Sequence, residues 1–257
     1  MAVQSAAKAI RLGHPSYVWR RGQDRRLDLI RQHVSLENRR ILDVGCGLGM
    51  YVRQMRRFSS EVYGVDVDAE KVAEASQFLP NVYTAPAESL PFPDDYFDVI
   101  LLHEVIEHVD DDRQTIREAY RCLRPGGRIV IYAPNRLYLF ETHGFYLGKR
   151  YVFRLLPFVN YTPNFVRNRF APHVRIYTGR GVRRLFAHLP VEVEVATHIF
   201  PGFDNVIERR PTLGRAIVSA RDFVERTPFR CFGISHFVVV RKLGEPLGDE
   251  PRSRGPD

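Results

Sequence analysis

Residues 41–49 read Ile-Leu-Asp-Val-Gly-Cys-Gly-Leu-Gly, and Glu61-Val62-Tyr63-Gly64-Val65-Asp66 follows a short stretch later. The apolar run Ile41 to Val44 is a buried strand by its composition, and the three glycines after it are a tight turn. Met50 to Phe58 then opens a helix. Glycines in such a turn let the backbone approach a ligand with no Cβ in the way, beside the free N–H groups of the helix start. Asp66 closes the second strand, twenty-one residues after Gly45, where a carboxylate accepts hydrogen bonds from both hydroxyls of a ribose. Strand, glycine turn, helix, strand and acid make an adenosine-binding half-site.

The spacing of the glycines narrows the ligand. A dinucleotide site uses G-x-G-x-x-G and sets a pyrophosphate on the helix. Here the spacing is G-x-G-x-G, and Asp43 stands two residues before the first glycine. That acid is badly placed for a pyrophosphate and well placed for an ammonium group. A nicotinamide oxidoreductase is the least favoured reading.

The pattern resembles motif I of the class I S-adenosylmethionine (SAM) methyltransferases. Later blocks resemble the family in the same order: Pro91 to Ile100, Glu104-Val105-Ile106-Glu107-His108-Val109, and Leu123 to Arg128. The resemblance covers residues 40–133. It implies an α/β, Rossmann-like sheet of seven mostly parallel strands, the last inserted antiparallel, with helices on both faces. It also implies SAM as cofactor and S-adenosylhomocysteine as product. Carried over residue by residue, the cofactor contacts are Asp43, Gly45, Cys46, Gly47, Gly49, Asp66, Val67, Ala87, Glu88 and His103. Ala87 and Glu88 fall where the family meets the adenine, and His103 falls beside the sulfonium.

Size and charge agree with one such domain. The chain has 257 residues, 44% hydrophobic and 26% charged, enough for a real core. Three widely spaced cysteines (Cys46, Cys122, Cys231) make no disulfide framework. With no apolar run near the ~20 residues of a membrane span and no leader pattern at Met1 to Leu12, a cytoplasmic chain is expected. Short strands alternate with helices. They are expected at 41–44, 61–65, 82–84, 97–102 and 128–133, then at 191–199 and 236–240. Asp68, Asp112 and Thr178 are expected helix caps. Residues 1–39 read as a helical arm, 40–133 as the core, 134–177 as an inserted lid after the fifth strand, 178–243 as the rest of the core, and 244–257 as a disordered tail.

The overall charge of +8 is concentrated in the lid: residues 134–177 hold seven Arg or Lys, one acid (Glu141) and eleven aromatics. Rings interleaved with cations suit an apolar or anionic acceptor, and also peripheral membrane or lipid contact through residues 145–170. Aromatics packed on the sheet with solvated arginines are the plainer reading. The lid's Glu141-Thr142-His143-Gly144 and His173-Val174-Arg175 resemble the small-molecule O-methyltransferases of the ubiquinone-biosynthesis type. That resemblance nominates His143, with His173 behind it, as a general base for a phenol or enol.

A metal is not expected. His103-Glu104-Val105-Ile106-Glu107-His108 approximates H-E-x-x-H, but histidines five apart diverge by about 140° on a helix. The function expected is methyl transfer to a small-molecule acceptor, phenolic or lipid-like, at oxygen or carbon. RNA or protein methylation, and a non-catalytic SAM-binding module, are the alternatives. Against nucleic acid, the Asn/Asp-Pro-Pro-aromatic loop of amino-group methylation is missing after the fourth strand.

Overall fold

The computed structural model describes residues 19–152 and 154–244. Most of the N-terminal arm before Trp19, and the tail after Gly244, lie outside the described residues. A helix α1 (Arg21–His33) leads into β1 (Ile41–Val44), α2 (Met50–Met55), β2 (Val62–Asp66), α3 (Ala69–Ala75) and β3 (Val82–Thr84). Then come β4 (Phe97–His103), α4 (Asp112–Cys122) and β5 (Leu123–Pro134). The sheet runs β10-β11-β5-β4-β1-β2-β3. Strands β3, β2, β1, β4 and β5 are parallel, and β11 (Ser235–Lys242) lies antiparallel between β5 and β10 (Val191–Ile199). The seven-stranded order and the single reversed insertion are those expected.

Alternation along each strand decides which layer each side chain enters. Leu42, Val44, Ile100, Leu102, Ile129 and Ile131 face α4 and the later helix α6 (Gly179–Leu185). Ile41, Val99, Leu101, Val130 and Tyr132 face the layer of α1, α2 and α3. Helix α2 has six residues, far below the ~12–15 at which a helix holds itself. It forms because Tyr51, Val52 and Met55 are buried, each worth roughly 1.5–3 kcal/mol. Asp68 and Thr178 cap their helices as expected, through the N–H groups of Glu70 and Gly181. The cap of α4 is Asp111, one residue before the expected Asp112.

The lid expected at residues 134–177 follows from the end of β5. It holds two small antiparallel pairs, β6 (Phe140–Glu141) with β9 (Leu156–Pro157) and β7 (Phe145–Leu147) with β8 (Arg150–Val152), and helix α5 (Asn164–Phe170). A second excursion, unforeseen in the sequence, carries α7 (Asp204–Arg209) and α8 (Pro211–Glu225) between β10 and β11. It fastens α1: the Gly22 N–H donates to Asp204 (3.1 Å) and Arg25 pairs with Glu225. No helix among the described residues is long and apolar enough to cross a membrane.

Candidate functional site

At the C-terminal ends of β1 and β2 the glycine turn is built against its neighbours. The N–H groups of Gly45 and Cys46 both donate to the Val65 carbonyl, at 2.7 and 2.9 Å. The Gly47 N–H donates to Asp66 Oδ2 at 2.7 Å, while Asp66 Oδ1 accepts from the Asp68 N–H at 2.9 Å. These amides therefore fix the turn itself. Gly45 and Gly49 have φ of +72° and +74°, and a Cβ would meet Val105 at 2.5 Å and Leu79 at 2.3 Å. Glycine is required at both. At Gly47 the nearest neighbours of a Cβ are 4.0 Å away, leaving a shallow cradle beside Asp66.

The structure brings most of the expected cofactor residues to this edge. Asp43, in β1 between Gly64 and Leu101, is 2% exposed. Burial, then the nearby charge of Asp66, drives its carboxyl well above the ordinary range. The Cys46 side chain is buried against Gly64 and offers the site only its backbone. Val67 is exposed beside Asp66, and Ala87 is buried. Glu88 places Oε1 against the N–H groups of Asp110 (2.8 Å) and Asp111 (3.2 Å), the geometry of a loop acid that caps the segment before α4.

His103 ends β4 between Tyr51 and Tyr132, at ring separations of 4.5 and 5.1 Å. Arg26 of α1 reaches over to it, placing Nη1 2.7 Å from His103 Nε2 and 3.0 Å from Glu104 Oε1. Burial and then the guanidinium lower the His103 pKa to about 3, so the ring is neutral and accepts. Burial works to raise Glu104, but Arg26 and His103 outweigh it and hold the carboxylate at about 2. The Tyr51 hydroxyl is buried here without a partner. Arg26, Tyr51 and Glu104 carry no motif that sequence reading uses to mark a site. Their nearness depends on α1 packing across the sheet.

The lid supplies the opposite wall. His143 Nδ1 is 3.0 Å from Glu141 Oε1, and Arg167 Nη2 donates to Glu141 Oε2 at 2.6 Å. Burial pushes Glu141 up, while hydrogen bonds from His143 and the charge of Arg167 bring it down to about 2. His173 places Nε2 3.4 Å from the His143 carbonyl oxygen. A cavity of about 500 Å³ opens among Glu107, His108, Asn168, His173 and Tyr177. Glu107 is 1% exposed and neither of its oxygens has a hydrogen-bond partner. Burial and the charge of Glu104 raise its pKa well above normal.

His103 and His108 do stay apart, since His103 faces Arg26. Yet Glu107, His108 and His143 each place a ligand atom within 4.8 Å of the others. Two imidazoles and a carboxylate are donors that suit a divalent cation, which would also satisfy the orphaned Glu107 oxygens. The near-motif in the sequence does not include the histidine that arrives from the lid.

Residues 42–131 match the family described as Methyltransferase domain. The ubiquinone biosynthesis O-methyltransferase of Coxiella burnetii is 33% identical over 141 residues, which is 51% of this chain and 58% of that relative. The enzyme of the same description from Pseudomonas fluorescens is 31% identical over 145 residues, 51% of this chain and 60% of the relative. The chain thus spans under two thirds of these relatives. A SAM-dependent methyltransferase structure from Mesorhizobium loti superposes with TM-score 0.59 at 21% identity, covering 84% of this chain and 96% of that one. The cyclase SpnF superposes at 0.57 with 20% identity, covering 88% and 83%. A cyclase on the same scaffold shows that this likeness carries fold alone. The fold and the family match over residues 42–131 agree with the geometry of the site.

The neutral His103 gives a pH signature. Its folded pKa (about 3) lies below the ordinary 6.5, so the unfolded chain binds the extra proton between those values. The stability from this group is complete above pH 6.5 and is lost as pH falls toward 3. Thermal melts of the wild type should therefore fall in that window. His103→Gln, which still accepts from Arg26, should show a shallower decline. Parallel curves for the two proteins would show that His103 titrates normally.

Proposed function

We propose that this chain transfers the methyl group of SAM to a hydroxyl oxygen of a small-molecule acceptor. One observation carries the reading: the buried Asp43 carboxyl is driven upward by burial and Asp66, with no cation among the described residues to offset them. A sulfonium or ammonium group is what would hold it ionised. In this reading Gly45, Cys46, Gly47 and Gly49 shape the cradle, Asp66 takes the ribose hydroxyls, and Val67 and Ala87 border the adenine. Asp43 faces the ammonium, and Arg26 and the unpartnered Tyr51 hydroxyl face the carboxylate. His103 lines the methyl-transfer end.

SAM supplies an activated methyl on sulfur. The protein's task is to hold the acceptor oxygen in line with it and keep water out, so positioning carries much of the rate. A hydroxyl must also lose its proton. His143, braced by Glu141, takes that proton on its other ring nitrogen, and His173 supports the backbone at His143. The relatives' printed names, O-methyltransferases, favour oxygen over carbon. A second reading changes only how the hydroxyl is activated: Glu107, His108 and His143 hold a divalent cation that polarises the acceptor oxygen. The lid also fits a lipid surface, because Leu155, Phe158 and Phe165 are exposed alongside Arg150 and Arg154.

Asp66→Ala should weaken SAM binding tenfold or more in calorimetry, since two charge-assisted hydrogen bonds are worth about 1.5–3 kcal/mol each. Unchanged affinity would place the ribose elsewhere. His143→Gln should cut turnover by about 10²–10⁴ with SAM affinity retained. Activity abolished by a chelator and restored by one divalent ion would favour the metal reading. For the lid, replacing Arg150 and Arg154 with Glu should abolish sedimentation with phosphatidylglycerol vesicles. Equal sedimentation of wild type and variant would remove the lipid surface from the account.

A further inference from the structure

We infer that Glu141 and Arg167 are positioning residues that fix the ring tautomer of His143, and that the lid's interior is organised around them. The inference rests on the reading of His143 as the group that accepts the acceptor's proton. Glu141 Oε1 gathers three donors from one turn: the N–H of Thr142 (3.0 Å), the N–H of His143 (3.1 Å) and His143 Nδ1 (3.0 Å). An ionised carboxylate only accepts, so Nδ1 must carry the proton and Nε2 keeps its lone pair. An imidazole left to solvent has no such constraint.

Arg167 holds Glu141 in that state and is itself fixed on every edge. Its Nη1 donates to the carbonyls of Val174 (2.6 Å) and Ala171 (3.3 Å), and its Nε donates to Asn160 Oδ1 at 3.4 Å. The Asn160 amide in turn donates to the carbonyls of Tyr138 (3.2 Å) and Phe140 (3.0 Å), which sets the strand that leads into Glu141. Beyond the ring, the Tyr151 hydroxyl donates to the His143 carbonyl at 2.5 Å. Gly144, at φ +81°, makes room for that hydroxyl, because a Cβ there would lie 2.5 Å from it. The histidine is therefore held at its ring, its amide and its carbonyl.

A purely structural role for the pair is the competing explanation. It is weakened by a general result: buried ion pairs are commonly replaceable by apolar residues without loss of stability. Here Glu141 is 1% and Arg167 2% exposed, in a lid already rich in apolar side chains. A charge pair in that setting earns an explanation in what it orients.

The test uses the full chain with ¹⁵N-labelled histidine and reads the ring nitrogens by NMR, with His143→Gln identifying the signals. The wild type should show the Nδ1–H tautomer. The combined change Glu141→Leu with Arg167→Met, which keeps apolar volume, should give a mixed or Nε2–H tautomer. Its kcat should fall about 100-fold with SAM affinity and acceptor KM little changed. If that protein fails to fold by circular dichroism, Glu141→Gln, whose amide can donate to Nδ1 as well as accept from it, is read in the same way. A variant that keeps the Nδ1–H tautomer, or turns over within threefold of wild type despite losing it, overturns the inference. If His143→Gln is fully active, the base reading fails instead, and the ring signals still report whether Glu141 and Arg167 set the tautomer.

Discussion

Four carboxyl groups are drawn into low-dielectric surroundings at one end of this sheet and its lid, and how each is neutralised organises the site. Glu104 is answered by Arg26 from α1, and Glu141 by Arg167 and His143 from the lid. Asp43 and Glu107 are not answered, and both are driven toward the protonated state. Burying an unpaired charge costs several kcal/mol, so these two groups mark where something from outside completes the balance. Asp43 marks the cofactor end. Glu107 marks the cavity under the lid, where a proton or a metal ion serves.

The paired carboxylates also explain why distant segments close over the sheet edge. Arg26 can reach Glu104 only if α1 lies across β4 and β5, and the Tyr132 hydroxyl donates to the Arg26 carbonyl (2.8 Å) to hold it there. The α7–α8 excursion ties the start of α1 through Gly22 and Arg25. In the lid, breaking the Glu141–Arg167 pair by removing one partner would cost about 3–5 kcal/mol. The lid therefore has an interior of its own, with Phe145, Val159, Ala171 and Val174 buried around that pair. Movement of the lid would be movement of a packed unit on its connections near Asn135 and Thr178.

What was legible in the sequence was local. The β1 turn, Asp66, and the caps at Asp68 and Thr178 each follow from a few adjacent residues, and the strand runs declare themselves by composition. What was not legible depends on approach in space. Arg26 lies 78 positions from Glu104, and Arg167 lies 26 from Glu141; neither spacing has a period to betray it. Glu88 could be read either way, because a loop acid looks the same whether it faces a ligand or caps the turn before α4. Helices α7 and α8 escaped for a related reason. Among the residues of α8 only Gly214 is buried, so the helix has little of the apolar stripe that periodicity detects.

The same distinction bears on chemistry. Binding SAM needs a rigid edge, and that edge is built from the turn and strands that half the chain shares with its O-methyltransferase relatives. In the proposed reading it is the lid that chooses the acceptor. SpnF has the scaffold and is a cyclase, so the scaffold alone does not determine the reaction. On that reading the discriminating residues are those the lid adds, His143 with its carboxylate brace, set against the Glu107–His108 corner of the scaffold. In the proposed reading an acceptor entering there meets an imidazole, a buried carboxyl group and a ring of polar atoms. A hydroxyl-bearing head group fits that corner better than bare hydrocarbon, and any apolar part of the molecule would extend along the exposed lid aromatics.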